Sequence, residues 1–110
     1  MIEVTLEEFV QVLKSSGLPV AHYQFSGSAN LPCLVYVDKG TDNYNADDRI
    51  YQEITNIDIE LYAARRDKKA ERKLEGILTT AGIVYERAGT FYIDSERVFV
   101  TLYEIQIMED

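Results

Sequence analysis

The sequence predicts an α+β fold in which two amphipathic helices pack on a mostly antiparallel or mixed β-sheet. Apolar residues recur at helical spacing in residues 6–16 and 67–81, a pattern typical of helices with one buried face. The other stretches alternate apolar and polar residues or form short apolar runs, as strands do. With 110 residues, the chain has the usual length of one domain, so we expect a single domain, residues 1–110, in the order α-β-β-β-α-β-β.

The first helix is predicted from Leu6 to Ser16. Thr5 and Glu8 have the Ser/Thr-x-x-Glu spacing of a capping box at its start. Gly17 and Pro19 end the apolar pattern, because a glycine and a nearby proline commonly follow a helix.

Two strands and a loop are expected next. Val20–Phe25 and Leu31–Val37 have strand composition, and the small residues 26–30 between them favour a β-hairpin. Residues 38–48 are rich in turn formers and have no apolar period, which predicts an exposed loop of unusual length. Long loops often carry function.

The third strand is predicted to be long and kinked. Ile50–Ile54 alternates, and Ile57–Leu61 then alternates one position out of phase. A change of phase within one strand predicts a bulge or bend, here near Thr55 and Asn56.

The second helix begins at Asp67, a good N-cap residue, and Gly82 stands at its end. Its predicted buried stripe is Ala70, Leu74, Ile77, Leu78 and Ala81. Strands are predicted at Ile83–Arg87 and Arg97–Ile107, flanking residues 88–96. Apolar residues occupy both faces of the last strand, so we expect it to be central and covered on both sides for part of its length.

The net charge and the composition of the first residues argue against several classes of protein. The net charge of −8 and the pI near 4.6 disfavour direct nucleic-acid binding, which needs a basic surface. The acidic start lacks the apolar core of a secretory signal, and no stretch approaches the ~18 apolar residues of a membrane span. We therefore expect a protein that is neither exported by the general route nor inserted in a membrane.

Catalytic and metal-binding motifs are missing from the sequence. His22 is the only histidine, which we interpret as a structural residue, and Cys33 is the only cysteine, which we interpret as a packed strand residue rather than a reactive thiol. No zinc-protease, nucleophile-elbow, phosphate-loop or Cys-x-x-Cys pattern occurs. The sequence predicts no enzyme activity, no cofactor and no metal.

The acidic loop invites a comparison with the calcium-binding EF-hand loop. If Asp42 is the first ligand, Glu53 stands at the twelfth place. However, Tyr44 and Ala46 fall on ligand places, and Asp47 stands where a glycine is required. We interpret the segment as a solvated interaction loop, with weak adventitious cation binding as the alternative.

Charge is unevenly distributed along the chain. Residues 65–73 contain six basic and two acidic residues, so this window carries +4 and the remainder of the chain −12. The window is either a solvated helix face or a docking patch for an acidic neighbour, such as the acidic loop of another copy. The candidate assembly interface comprises Asp38, Asp42, Asp47, Asp48, Arg65, Arg66, Lys68 and Lys69.

Five sets of residues, taken in their order and spacing, resemble one family. They are Leu31-Pro32-x-Leu34-Val35-Tyr36, Asn45-Ala46-Asp47-Asp48-x-x-Tyr51, Asn56-x-Asp58-Ile59-Glu60-Leu61-Tyr62, Gly82-Ile83-x-Tyr85-Glu86, and Ser95-Glu96-x-Val98 with the later Tyr103-Glu104-Ile105. Together they resemble small morphogenesis proteins of long-tailed phages and prophages of Gram-positive bacteria, a group similar to tail-completion, tail-terminator and head–tail joining proteins. The resemblance extends from Leu6 to Ile107.

The resemblance implies a non-enzymatic protein that forms a ring, commonly of six copies, on the head-proximal end of the tail tube. There it would stop tube growth and present a surface to the head connector. Its implied partners are further copies, the tail-tube protein and head connector proteins, first in the cytoplasm of a bacterial host and then in the virion. The alternatives are a small intracellular regulatory or adaptor protein of antitoxin type, and an enzyme or ligand-binding domain.

Overall fold

The computed structural model describes residues 4–24, 30–46 and 49–109 and confirms the α+β class and the predicted order of elements. In chain order the elements are α1 (Leu6–Lys14), β1 (Val20–His22), β2 (Cys33–Ala46), β3 (Arg49–Ala63), α2 (Lys68–Thr80), β4 (Tyr85–Ile93) and β5 (Val98–Glu109). The strands form one mixed sheet in the order β1-β2-β3-β5-β4. Neighbouring strands are antiparallel except β1 and β2, which are parallel.

Helix α1 is closed at its start by the predicted capping box. The Thr5 hydroxyl accepts a hydrogen bond from the backbone N–H of Glu8 at 3.1 Å, and the Glu8 carboxylate accepts one from the N–H of Thr5 at 3.4 Å. The helix buries Phe9 and Leu13 completely and ends at Lys14, two residues earlier than predicted. Reciprocal capping satisfies N–H groups that the first turn leaves without helical partners.

Helix α2 also follows the prediction. The Asp67 carboxylate accepts a hydrogen bond from the N–H of Ala70 at 3.0 Å, and Leu74 and Leu78 are fully buried. Gly82 follows the helix with a φ of 77°, a left-handed conformation that glycine adopts without strain. Neither helix in the described ranges has the length and apolarity needed to cross a membrane.

Both helices pack on the same face of the sheet, here called the covered face, and the core lies between them. Its buried sheet residues are Leu34, Ile57, Ile59, Leu61, Tyr103, Ile105 and Ile107. The opposite side of the sheet, here called the open face, carries no helix among the described residues. Alternation along each strand assigns neighbouring residues to opposite faces.

The predicted β-hairpin between the first two strands is wrong. Strand β1 runs parallel to β2, with Val20 opposite Leu34, and it ends at His22 rather than at Phe25. Tyr23 has a φ of 67°, a left-handed conformation that ends the strand. The chain therefore leaves the sheet here and does not form the turn of a β-hairpin. Phe25 and the rest of residues 25–29 lie outside the described residues.

The predicted loop at residues 38–48 is wrong for most of its length. Residues 38–46 continue β2 and pair with β3, while Asp47 and Asp48 lie outside the described residues. Gly, Asp and Asn favour turns and are depleted in strands, but pairing with a neighbouring strand overrides such local preferences. The loop prediction is therefore wrong because it followed only the turn-forming composition of these residues.

The predicted bulge near Thr55 and Asn56 is on the wrong strand. Strand β3 pairs with β5 without a shift, whereas the register shift lies on β2 between Asp38 and Gly40, opposite Asn56 and Ile57. Thr55 is buried and takes an inward position. The inward-facing residues of β3 therefore include the polar Thr55, which a pattern of apolar residues could not reveal.

Strand β4 is longer than predicted, and β5 lies between β3 and β4. Strand β4 runs from Tyr85 to Ile93, with a register shift between Arg87 and Gly89, so residues 88–93 belong to a strand rather than to a connection. Strand β5 is interior, as expected. The predicted cover on both sides is not found: Val100 on the open face is buried, but no second layer lies over it among the described residues.

Candidate assembly surfaces

Asp38 lies at the β1–β2 edge and is already engaged within the chain. The ring nitrogen Nε2 of His22 contacts the Asp38 carboxylate, and this hydrogen bond lowers the pKa of Asp38 although burial acts in the opposite direction. The His22 ring stacks on Tyr36 with centroids 4.7 Å apart, and the Tyr23 hydroxyl donates to the Asp38 carbonyl at 3.4 Å. Asp38 therefore fastens β1 to β2.

The other acidic candidates lie on or near a projecting part of the sheet. Asp42 is in β2 opposite Ile54, and Asp47 and Asp48 lie outside the described residues. Strand β5 follows β3 only to Glu53, so residues 44–46 and 49–52 form a two-stranded extension, here called the β2–β3 arm. The extension accords with the molecule's principal-axis extents of 50 × 27 × 24 Å.

Of the four basic candidates, Arg66 is bound within the chain. Its Nε lies 2.9 Å from the Glu71 carboxylate, and the Arg87 guanidinium contacts the same carboxylate from β4. Glu71 is only 3% exposed. A buried carboxylate needs such partners, since burying an unpaired charge is costly. The sequence window therefore overcounts the free cations.

The remaining basic candidates, Arg65, Lys68 and Lys69, are exposed. Arg72 and Lys73 are exposed as well, and none of the five has an ion pair within the part of the chain that the structure describes. Cations near a helix N-terminus oppose the helix dipole. Local helix stability therefore does not account for this basic surface, here called the α2 basic surface.

The two helices lie over opposite halves of the sheet. Phe9 of α1 makes an edge contact with Tyr36 of β2, with ring centroids 6.0 Å apart. Glu75 of α2 accepts a 2.6 Å hydrogen bond from the Tyr103 hydroxyl on β5, and Glu71 meets Arg87 on β4. Helix α1 therefore covers the β2 side, and α2 covers the β5–β4 side.

This placement puts exposed charge of opposite sign on the two helices. The exposed acids of the first turn of α1, Glu7 and Glu8, lie on the side that also contains Asp38. The α2 basic surface belongs to the other helix, where Arg72 and Lys73 line a groove with Val12 and Ser15 of α1. No ion pair joins these two groups within the described ranges, so each remains available to a charged neighbour.

A row of acids crosses the open face, and sequence reasoning missed it. Asp58 on β3, Glu104 on β5 and Glu86 on β4 are directly opposite one another in the sheet. The Nζ of Lys39 lies 2.9 Å from Asp58 and 3.6 Å from Glu104, and the hydrogen bond to Asp58 raises the pKa of Lys39. Strand register alone reveals such a row, because its members are far apart in sequence.

An open trough of about 800 Å³ adjoins this acidic row. Lys39, Glu86, Glu104 and the hydrogen-bonded pair Gln106 and Asn56 contribute to its lining. Like charges directly opposite in a sheet are destabilising. Lys39 relieves this repulsion for Asp58 and Glu104, whereas Glu86 has no ion pair among the residues described, so the row keeps an excess of negative charge.

The residues considered for chemistry lie apart. Cys33 is buried at the start of β2, as predicted, and burial raises the pKa of its thiol. His22 is at the sheet edge with Asp38. No group of three His, Cys, Asp or Glu side chains able to hold a metal ion occurs among the residues described.

Comparison with known proteins identifies no family for this chain. A scan against known protein families and a search of curated proteins both find no match.

Proposed function

We propose that this chain is a non-enzymatic virion assembly protein of a phage or prophage. In this role it completes the tail: several copies form a ring on the head-proximal end of the tail tube. The ring blocks further addition of tube subunits and offers a surface to the head connector. The tail-specific part of the proposal rests on the five sets of residues from Leu31 to Ile105 that resemble tail-completion proteins.

The observation that best supports ring assembly is the separation of unpaired charge. The exposed acids Glu7 and Glu8 lie on α1, and the exposed cations lie on α2. Two different surfaces that attract each other give head-to-tail contacts, and these close into rings when the rotation between copies allows it. Complementary charge mainly speeds encounter and fixes orientation.

The β2–β3 arm supports the same function. It extends past the end of β5, so it can reach a neighbouring copy or the tube while the two-helix body keeps its fold. Asp42, Asp47, Asp48 and Glu53 make this region of the sequence acidic, against the single cation Arg49. Docking of such an arm on a basic surface would be weakened by salt.

Deletion of the gene tests the proposal. DNA packaging and head maturation precede joining, so a deletion lysate is expected to contain filled heads without tails, together with free tails that are often overlong. Electron micrographs of the lysate, with and without the restored gene, measure both effects. Normal infectious particles from the deletion would refute tail completion and favour the regulatory alternative.

Complementation with charge variants tests whether the α2 basic surface is an assembly contact. The variant Lys68→Glu with Lys69→Glu leaves Arg66 and its buried partner Glu71 intact, so it is expected to fold but to restore joined particles poorly. The matched control is Arg97→Glu, an exposed cation in the turn before β5. Equal restoration by both variants would remove the α2 basic surface from the assembly contact.

A further inference from the structure

The large exposed apolar side chains lie at the two lateral edges of the sheet. On one edge, β4 carries Phe91, 55% exposed, and Tyr92, 50% exposed, and Val84 just precedes it. At the other edge, Tyr23, 56% exposed, directly follows β1, and Leu31 precedes the start of β2. Within the described part of the chain, no other large hydrophobic residue is exposed. Isolated exposed residues need no explanation, but confinement to two edges does.

The end of β4 lacks the usual protection of an edge strand. Gly89, Thr90, Phe91, Tyr92 and Ile93 contain no charge and no proline, and among the described strands β4 has β5 as its only neighbour. Soluble proteins normally protect such an edge with charges, prolines or a covering element. The register shift after Arg87 interrupts the strand only before this segment begins. Its unpaired backbone groups and aromatic side chains suit the addition of a further strand.

The opposite edge has the direction that such a contact needs. Strand β1 is parallel to β2, and the three remaining steps across the sheet to β4 are antiparallel. Strand β4 of one copy placed beside β1 of the next would therefore be antiparallel. The same placement sets α2 of the first copy beside α1 of the second, because each helix lies over the corresponding half of the sheet, so the helices that meet are the one that carries the exposed cations and the one that carries Glu7 and Glu8.

We propose that residues 89–93 of β4 pair antiparallel with β1 of a second copy, so that the sheet continues from one copy to the next. The contact joins two different edges and repeats around a ring. Phe91 and Tyr92 pack against Tyr23 and Leu31 of the neighbour. This inference rests on the proposed ring of identical copies and names the surface that forms it.

Cysteine cross-linking between two differently labelled variants tests the direction of pairing. In a Cys33→Ala background, one copy carries Asp94→Cys or Ala88→Cys, and the other carries Asn30→Cys or Gln24→Cys; all four sites are exposed. Antiparallel pairing brings position 94 near position 30 and position 88 near position 24. With a short bis-maleimide at high protein concentration, these two pairs are expected to cross-link in roughly tenfold excess over the crossed pairs, because a fixed contact raises the local concentration.

Association measured by light scattering provides a second readout. Tyr92→Lys introduces a charge into the unprotected edge and is expected to weaken self-association roughly tenfold or more, as loss of a central aromatic contact commonly does. Thr79→Lys is the matched control, since it adds the same charge at an exposed position of α2.

Three results would overturn the edge pairing. The first is cross-linking only between identical β4 sites, which would indicate a symmetric dimer. The second is no excess of the expected cysteine pairs over the crossed pairs. The third is equal association of the Tyr92→Lys and Thr79→Lys variants. Each leaves the deletion phenotype unaffected, so failure of the edge contact is distinguishable from failure of the tail-completion proposal.

Discussion

The two faces of the sheet are built from the same strands but have different contents. On the covered face, successive inward residues of β3 and β5 are apolar or, as with Thr55 and Thr101, small and buried. On the open face, a buried apolar group around Cys33, Val35 and Val100 gives way to the acidic row around Glu104. On β3 and β5, one face has the composition of a core from Ile57 to Leu61 and from Thr101 to Ile107, and the other only at one end.

This difference separates stability from interaction within one domain. Burial of a large apolar side chain contributes about 1.5–3 kcal/mol, so the covered face supplies most of the stability. The acidic row, which Lys39 neutralises only in part, and the exposed aromatic edge contribute little to folding. Substitutions on the two faces should therefore differ in size and in kind.

The largest effect is expected on the covered face. Leu74→Ala removes a fully buried side chain of α2 and should lower the free energy of unfolding by about 2–5 kcal/mol, since a cavity remains. Urea or thermal denaturation measures it. Thr79→Ala, at an exposed position of the same helix, should change stability by less than about 0.5 kcal/mol. Equal effects would mean that α2 does not dock through this stripe.

A smaller loss is expected for the buried carboxylate beneath α2. Glu71→Gln keeps the shape of the side chain but removes the charge that faces Arg66 and Arg87. We expect a loss of about 1–3 kcal/mol, reduced by the partial exposure of both guanidinium groups. Denaturation at low and high salt measures it, with the exposed Glu86→Gln as control. A stability equal to that of the wild type would show that the ion pairs contribute nothing net.

The same leucine-to-alanine change should cost less on the open face. Leu102 is half-buried and has no helix above it among the residues described, so neighbouring side chains can relax into the space. Leu102→Ala is expected to cost about 1 kcal/mol, below the range for buried leucines. A loss as large as that of Leu74→Ala would contradict the contrast between the faces and indicate that the open face is covered in solution.

The smallest effect depends on pH and concerns the edge pair of His22 and Asp38. A carboxyl group whose pKa is lowered in the folded state adds stability above its unfolded pKa and loses that contribution as pH falls through the folded pKa. The stability difference between wild type and Asp38→Asn should therefore shrink as pH falls below about 4. It should stay below about 1 kcal/mol, because a third of the Asp38 side chain is exposed. A pH-independent difference would contradict this origin.

The sequence predicted those elements that bury one face. Both helices and the inward series of β3 and β5 have the period that burial imposes, and the caps at Thr5 and Asp67 marked the helix starts. The exposure of the basic residues of α2 could also be predicted from the sequence. Burial acts locally on each element, so a local pattern records it.

What the sequence could not predict depends on partners that are distant along the chain. Residues 38–46 pair with a strand that follows them, and the direction of β1 depends on where the chain leaves the strand at Tyr23. The acidic row depends on two strand registers, between β3 and β5 and between β4 and β5. The contact of Arg87 with Glu71 joins β4 to α2 across 16 positions of the sequence. No local pattern records such pairings.

The β2–β3 arm has a consequence for how the domain opens. In its two-stranded part, residues 44–46 pair only with residues 49–52 among the described residues, and isolated two-stranded ribbons are marginal in water. Backbone amides there should exchange with deuterium through a local opening, whereas amides of Ile59 and Tyr103 should exchange only when the whole domain unfolds. If the arm makes an assembly contact, its amides should become protected when that contact forms. The order in which amides in different parts of the chain become protected would then give the order of the assembly steps.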